Sequence, residues 1–379
     1  MSEVEICSLP YLNRMASNVL SVEENSLEML YENVKYSQGI LVIAAGRSKL
    51  SAIIPLTQLG YIEENHRLLI QFGTATFPWG DVYFGLENIR KRLGLKRILL
   101  LAVSGSGETK YTLRRLERAL EFKNKYPEET DFVAITSNPN SSIGKLAKKY
   151  GSLLILKGRE KRGTFRETGI MGDTFENGVS VLHQGIVQGL AENYEINKLY
   201  KWYERFLFDV GREIEQTLDS EFYRYAVNCL VARSNVFLEA EGVGDLVLYQ
   251  FGIRLSHIKR CIGDEVHFRH PPTPRPSDVQ FTVSCFGSTK SVIEDVKTFR
   301  KFGGVQFSIV GKRGTELEEN SDFVLYVPEE APYGKPRTFY TRTALRLSPL
   351  PIVLIEELKA RGANLTEEIL KYHHSVTKP

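Results

Sequence analysis

Short, wholly apolar runs recur along the chain, each broken by a turn rich in glycine or hydroxyl residues and followed by residues at helical spacing. Residues 40–44 (Ile-Leu-Val-Ile-Ala) run into Ala45-Gly46-Arg47-Ser48 and then Leu50, Ile53 and Ile54. Residues 98–103 run into Ser104-Gly105-Ser106-Gly107-Glu108-Thr109 and an amphipathic stretch that starts at Lys110. Residues 132–135 open into Thr136-Ser137-Asn138-Pro139-Asn140-Ser141-Ser142, and residues 153–156 supply a further strand. Strands this uniformly apolar are buried on both faces, and their alternation with helices predicts a parallel sheet covered by helices on either side.

The same order returns in the second half. Beyond residues 192–230, where Trp202, Phe206, Val210 and Ile214 keep roughly helical spacing, residues 236–238 lead to Glu241-Gly242-Val243-Gly244-Asp245. Residues 281–283 then lead to Ser284-Cys285-Phe286-Gly287-Ser288-Thr289 and a helix with Val292, Ile293, Val296 and Phe299. Strands at 305–310 and 323–327 and a helix near 352–360, begun by Pro349 and Pro351, complete the set. The expected fold class is α/β: two doubly wound parallel sheets, each in flavodoxin-like strand order and flanked by helices. The expected division is residues 1–190, a helical connector at 191–230, and residues 231–379. In such sheets a ligand sits outside the carboxyl ends of the strands where the strand order reverses, so Ser48 and the 104–109 loop should meet there.

The 104–109 loop has the chemistry of an anion cradle. Two glycines permit a tight turn that exposes backbone N–H groups, three hydroxyls add donors, and the following helix offers its positive end. In the second half Asp245 is expected in the place of Ser48 and Phe286 in that of Ser106. A carboxylate repels an anion and a phenyl ring removes a donor, so the second loop reads as degenerate.

Charge and composition narrow the alternatives. The 379 residues carry 49 Lys+Arg against 46 Asp+Glu, a net charge of +3, which argues against an extended nucleic-acid surface. No uninterrupted apolar stretch is long enough to span a bilayer, and the first residues lack the features of a signal peptide, so a cytoplasmic location is expected. The four cysteines (Cys7, Cys229, Cys261, Cys285) are scattered, without zinc or disulfide spacing, and the His373-His374 pair reads as a solvated tail. No metal and no organic cofactor is expected. Gly242-Val243-Gly244 lacks the third glycine of a dinucleotide fingerprint.

The segments AAGRSKLSA, SGSGET and ITSNPNSSIGKLA, within residues 31–190, resemble the sugar isomerase (SIS) domain family and, inside it, the hexulose-phosphate isomerases. The resemblance implies tandem SIS domains, a sugar-phosphate ligand, and a phosphate held by Gly46, Arg47, Ser48, Ser104, Gly105, Ser106, Gly107 and Thr109. It also implies a homodimer. Gly172-Asp173-Thr174-Phe175-Glu176 resembles that family's Gly-Thr-x-Phe-Glu segment, with Asp173 where the family has Thr and no proline in residues 167–171, which makes Glu176 a candidate base. A glutamate in a first helical turn also simply complements the helix dipole, and both readings stay open. Residues 264–272 crowd two carboxylates, two histidines and an arginine into what reads as a loop. They resemble the Glu/Leu-Lys-His-Gly-Pro segment of the isomerase half of glucosamine-6-phosphate synthase, which makes His270, with Glu265 nearby, a candidate for ring opening. The helix before that segment (Gly252-Ile253-Arg254-Leu255) has no glutamate where that family carries its base, and a charged loop is commonly just solvated. Aldose–ketose isomerisation needs a carbon-to-carbon proton shuttle, which a carboxylate and a histidine suit. The expected function is therefore a cofactor-free sugar-phosphate isomerase, with a non-catalytic phosphosugar sensor as the alternative.

Overall fold

Among the described residues every strand pairing is parallel. The structure, a computed structural model, describes residues 4–62, 68–70, 82–159, 168, 173–232, 234–268, 272–329, 331, 335–366 and 369–370. In the first half β1 (Gly39–Ile43), β2 (Leu68–Ile70), β3 (Ile98–Val103), β4 (Thr130–Thr136) and β5 (Ser152–Ile155) lie in the order β2-β1-β3-β4-β5. The second half repeats this with β6 (Val236–Ala240), β7 (Val266–Phe268), β8 (Val279–Ser284), β9 (Val305–Val310) and β10 (Phe323–Tyr326) in the order β7-β6-β8-β9-β10. Both are the flavodoxin-like order that the apolar pattern implies. The strand order reverses beside β1 and β3 in one sheet and beside β6 and β8 in the other, so each reversal lies next to a hydroxyl-rich loop.

The edge strand β7 carries no such pattern. Residues 264–272, expected as a loop, instead contain β7, whose Val266, His267 and Phe268 pair with Val236, Phe237 and Leu238. Three residues, of which Val266 alone is fully buried, are too few for a period to show, and the pairing is decided by the neighbouring backbone.

The stretch between the sheets does not stand apart. The Ile196–Leu218 helix buries Leu199, Trp202, Tyr203, Phe206, Val210 and Ile214 in the core of the first half. The Glu221–Val231 helix starts at Ser220, whose hydroxyl accepts the Tyr223 N–H at 3.2 Å, and packs Phe222, Ala226 and Leu230 into the second core. The expected connector at 191–230 is thus shared between the two cores, with the change at residues 219–220.

The halves meet through equivalent helices. Gly46–Leu56, which follows β1, lies against Val243–Lys259, which follows β6, and Leu50, Ile54 and Val247 form a common apolar cluster. The seam also has polar contacts, among them Gln250 Nε2 donating to Ser51 Oγ at 2.8 Å.

Candidate functional site

The 104–109 loop leaves β3 at the carboxyl edge of the first sheet. Ser104 Oγ lies 3.2 Å from Thr109 Oγ1 and accepts the Gly107 N–H at 3.2 Å, so two hydroxyls and a backbone amide converge ahead of the Lys110–Lys125 helix. Gly107 sits at φ +67°, and a Cβ there would come within 2.0 Å of Ser141 Oγ, so no other residue fits. A Cβ on Gly105 would meet Arg159 Cδ at 2.6 Å, because the Arg159 side chain lies over the loop. The one carboxylate in the loop, Glu108, is occupied: it accepts the Ser142 amide and hydroxyl, both at 2.8 Å.

The 284–289 loop repeats this geometry. Ser284 Oγ lies 3.2 Å from Thr289 Oγ1 and accepts the Gly287 N–H at 3.1 Å, and Gly287 has φ +61°. Strand register then fixes the remaining equivalences. Ile40 pairs with Leu99 five residues before Ser104, and Val236 pairs with Val279 five residues before Ser284. Ile40 therefore matches Val236, Gly46 (φ +54°) matches Gly242 (φ +62°), and Ser48 matches Gly244. Asp245 corresponds to Lys49, one position beyond the expected place. Phe286 does occupy the place of Ser106. Its ring is 41% exposed, with Lys312 Nζ 5.0 Å and the Arg337 guanidinium 4.6 Å from its centre.

Beside the first loop lies a buried charge network. The Asp173–Ala191 helix presents Asp173 and Glu176 from its first turn, both almost fully buried. Asp173 takes Arg47 Nη1 on one carboxylate oxygen and Arg254 Nη2, at 2.6 Å, on the other. Glu176 Oε1 accepts from Ser48 Oγ at 3.2 Å, and its Oε2 lies 3.1 Å from Arg47 Nε. Burial pushes the Glu176 carboxyl above its ordinary range, against the pull of Arg47 and Arg159, so its protonated form is favoured more than in water. Arg159 links this network to the loop, since it covers Gly105 and its charge acts on Glu176.

The expected phosphate ligands thus divide into two groups. Ser104, Gly105, Ser106, Gly107 and Thr109 form the cradle. Arg47 and Ser48, on the helix that Gly46 begins, face the carboxylates of Asp173 and Glu176. Glu176 is more than a dipole complement, because its side chain is turned inward onto a hydroxyl and a guanidinium. Glu265 is not brought to either cradle. It precedes β7 at the amino edge of the second sheet, where its amide donates to Asn235 Oδ1, and its side chain is largely exposed. His270 lies outside the described residues, as do Gly172 and the His373-His374 pair. Sequence reasoning missed Arg159, Asn177, Gln250 and Arg254, and saw Asp173 merely as a departure from a motif. Gln250 and Arg254 lie four apart and so share a helix face with Val247 and Phe251, and a pair of polar residues on an apolar face was the available signal. Among the described residues no group of His, Cys, Asp or Glu could hold a metal ion, and no helix is long and apolar enough to cross a membrane.

Comparison with known proteins agrees with this architecture. No family model matches the chain. A 3-hexulose-6-phosphate isomerase of Bacillus subtilis (strain 168) is 23% identical over 181 residues, covering 48% of this chain and 85% of that protein. A Clostridium novyi NT protein, provisionally assigned as a tagatose-6-phosphate ketose/aldose isomerase, superposes with a TM-score of 0.62 at 16% identity, covering 92% of this chain and 88% of its own. The tagatose-6-phosphate ketose/aldose isomerase of Escherichia coli superposes with a TM-score of 0.60 at 12% identity, covering 94% of each chain. The fold is that of tandem sugar isomerase (SIS) domains.

Proposed function

We propose that this chain, built on the tandem SIS fold, binds a sugar phosphate at the 104–109 cradle and interconverts its aldose and ketose forms by proton transfer at Glu176. The observation that carries this reading is the buried Glu176 carboxylate, held by Ser48 and Arg47 and joined to the cradle through Arg159. In this scheme the Ser104 and Thr109 hydroxyls, the loop amides and the helix N-terminus hold the phosphate. That anchoring keeps the two reacting carbons against Glu176, so binding energy is used for orientation. A carboxyl whose pKa is lifted by burial is a better base than an ordinary glutamate, and once protonated it returns the proton to the neighbouring carbon. Arg47 and Arg159, on the same carboxylate, supply positive charge that stabilises the enediolate oxygens formed between the two proton transfers. The matched and superposed proteins, named for hexulose- and tagatose-phosphate isomerisation, support a ketohexose 6-phosphate as substrate class.

One observation favours a second reading. Ser48 and Arg47 donate to the carboxylates of Glu176 and Asp173, a closed network that suits a phosphosugar sensor without turnover. Incubation with a panel of aldo- and ketohexose 6-phosphates in D2O, followed by proton NMR, separates the two. Deuterium entering at the carbon next to the carbonyl is expected for one member of the panel. Binding without exchange selects the sensor, and absence of binding across the panel sinks both readings.

A further inference from the structure

Four side chains at the seam between the halves are each more than nine-tenths buried and carry a polar atom with no hydrogen-bond partner among the described residues. These atoms are Asn177 Nδ2, Gln250 Oε1, Arg254 Nε and Glu176 Oε2. The last lies 3.1 Å from Arg47 Nε but outside hydrogen-bonding angles. All four residues, together with Arg47, line one cavity of about 10 Å³ whose apolar side is formed by Val247, Phe251 and Ala344. Buried polar atoms are nearly always paired, so four orphans around one hole call for a guest.

Size and polarity restrict that guest. The space is about that of one water oxygen. Asn177 Nδ2 and Arg254 Nε offer hydrogens, whereas Gln250 Oε1 and the Glu176 carboxylate accept them. Gln250 is oriented by its own bond, because its Nε2 is committed to Ser51 Oγ and its oxygen is left to accept. An anion would meet the Glu176 carboxylate and the Gln250 oxygen there, and a cation would meet the Arg47 and Arg254 guanidiniums. A group that both donates and accepts suits the ring: a water matches two donors and two acceptors, and a hydroxyl, with one hydrogen and two lone pairs, matches both donors and Gln250 Oε1 while Glu176 Oε2 keeps its Arg47 ion pair.

We propose that this chamber is a hydroxyl-recognition site, filled by water in the ligand-free chain and by one hydroxyl of the sugar in the complex. The second part rests on the phosphosugar reading above. Gln250 and Arg254 belong to the second half, so that half reads the sugar while the first holds its phosphate. A hydroxyl that displaces the ordered water reproduces three of its four bonds, to both donors and one acceptor, and so retains most of the enthalpy of the site.

Two measurements test this. A high-resolution crystal structure of the ligand-free chain should contain one water bonded to all four atoms; an empty chamber, or an ion in it, overturns the proposal whatever the chain binds elsewhere. The hexose phosphate that binds best is then compared with its monodeoxy analogues by calorimetry. One analogue should bind about tenfold or more weakly to the wild type, because its missing hydroxyl leaves buried groups unpaired. In Gln250→Leu that discrimination should fall toward unity while inorganic phosphate binds as before. Discrimination that survives the substitution overturns the proposal. Should Gln250→Leu not fold, Asn177→Leu removes a donor from the same ring and carries the same expectation. If no sugar phosphate binds but the four-bonded water is present, the phosphosugar reading and the sugar half of this proposal fail together, and the chamber is a fixed water site.

Discussion

The 104–109 and 284–289 loops have the same backbone and different surroundings. In each, a serine and a threonine hydroxyl stand 3.2 Å apart over a glycine amide, at the reversal point of an identical strand order. What lies above them differs. Over the first loop lies Arg159, which also acts on the buried Glu176; in the second, the Phe286 ring replaces a hydroxyl and draws Lys312 and Arg337 onto its face. The comparison teaches that a strand-loop-helix unit supplies a cradle almost automatically, and that chemistry is assigned by the side chains delivered to it from other elements. Glu176, on a helix that starts 64 residues beyond Thr109, is the delivered group in the first half.

The sharpest break of this comparison is Glu176→Gln. The amide keeps the shape but cannot accept a carbon-bound proton, so exchange into the bound sugar should slow by about 10²–10⁴, with phosphate affinity retained. A rate unchanged in the variant removes Glu176 as the base. The pH dependence has a defined sign. The carboxyl is raised by burial in the folded chain, so the unfolded chain ionises first as pH rises from the ordinary value of 4.5. Stability is therefore fully present below that pH and declines as pH climbs through the raised folded value. Glu176→Gln should flatten this decline in urea titrations, and wild-type exchange should gain its acid limb above pH 4.5.

The next effect tests how far the first site depends on the second half. Arg254→Met removes one of the two guanidinium groups on Asp173, in a pair whose side chains are 5% and 1% exposed. Breaking a buried ion pair from one side leaves a poorly compensated charge and costs about 3–5 kcal/mol. The midpoint of urea unfolding should fall accordingly, and the Asp173→Asn/Arg254→Met double variant should recover part of the loss. A loss below about 1 kcal/mol would mean that Arg47 alone satisfies Asp173.

Much of this was legible in the chain, for physical reasons that also mark the limit. β1, β3, β4, β6, β8 and β9 are central strands buried on both faces, so their apolar runs announce them, and the loops after β3 and β8 follow directly. The edge strand β7 is set by pairing with β6 and leaves no trace in composition. Periodicity placed Leu50 and Ile54 on a buried face but could not say that Val247 of the other half covers it. The sequence suggests Asp245 in the place of Ser48, but strand register puts Gly244 there, so the carboxylate stands one position beyond. Gln250 reaches Ser51, about 200 positions away, because two equivalent helices pack face to face, and Arg254 on the same helix reaches Asp173 of the first half.

The smallest expected effect separates backbone from side chain within the loops themselves. Ser106→Ala keeps the turn, whose amides, Ser104 and Thr109 remain, and removes one donor to a charged acceptor. Sugar-phosphate affinity should weaken by about 1.5–3 kcal/mol, read by calorimetry. The reciprocal change, Phe286→Ser, gives the second loop the same hydroxyl. It also removes the ring under Lys312 and Arg337, which at this exposure costs about 0.5–1 kcal/mol per cation. If a hydroxyl were all the second loop lacks, Phe286→Ser would create a second phosphate site and double the stoichiometry. The expected stoichiometry is unchanged, because the restored loop still has Cys285 in the place of Gly105 and Gly244 in that of Ser48. A doubled value would show that the loop alone suffices, and that the side chains delivered from elsewhere choose the reaction without being needed for binding.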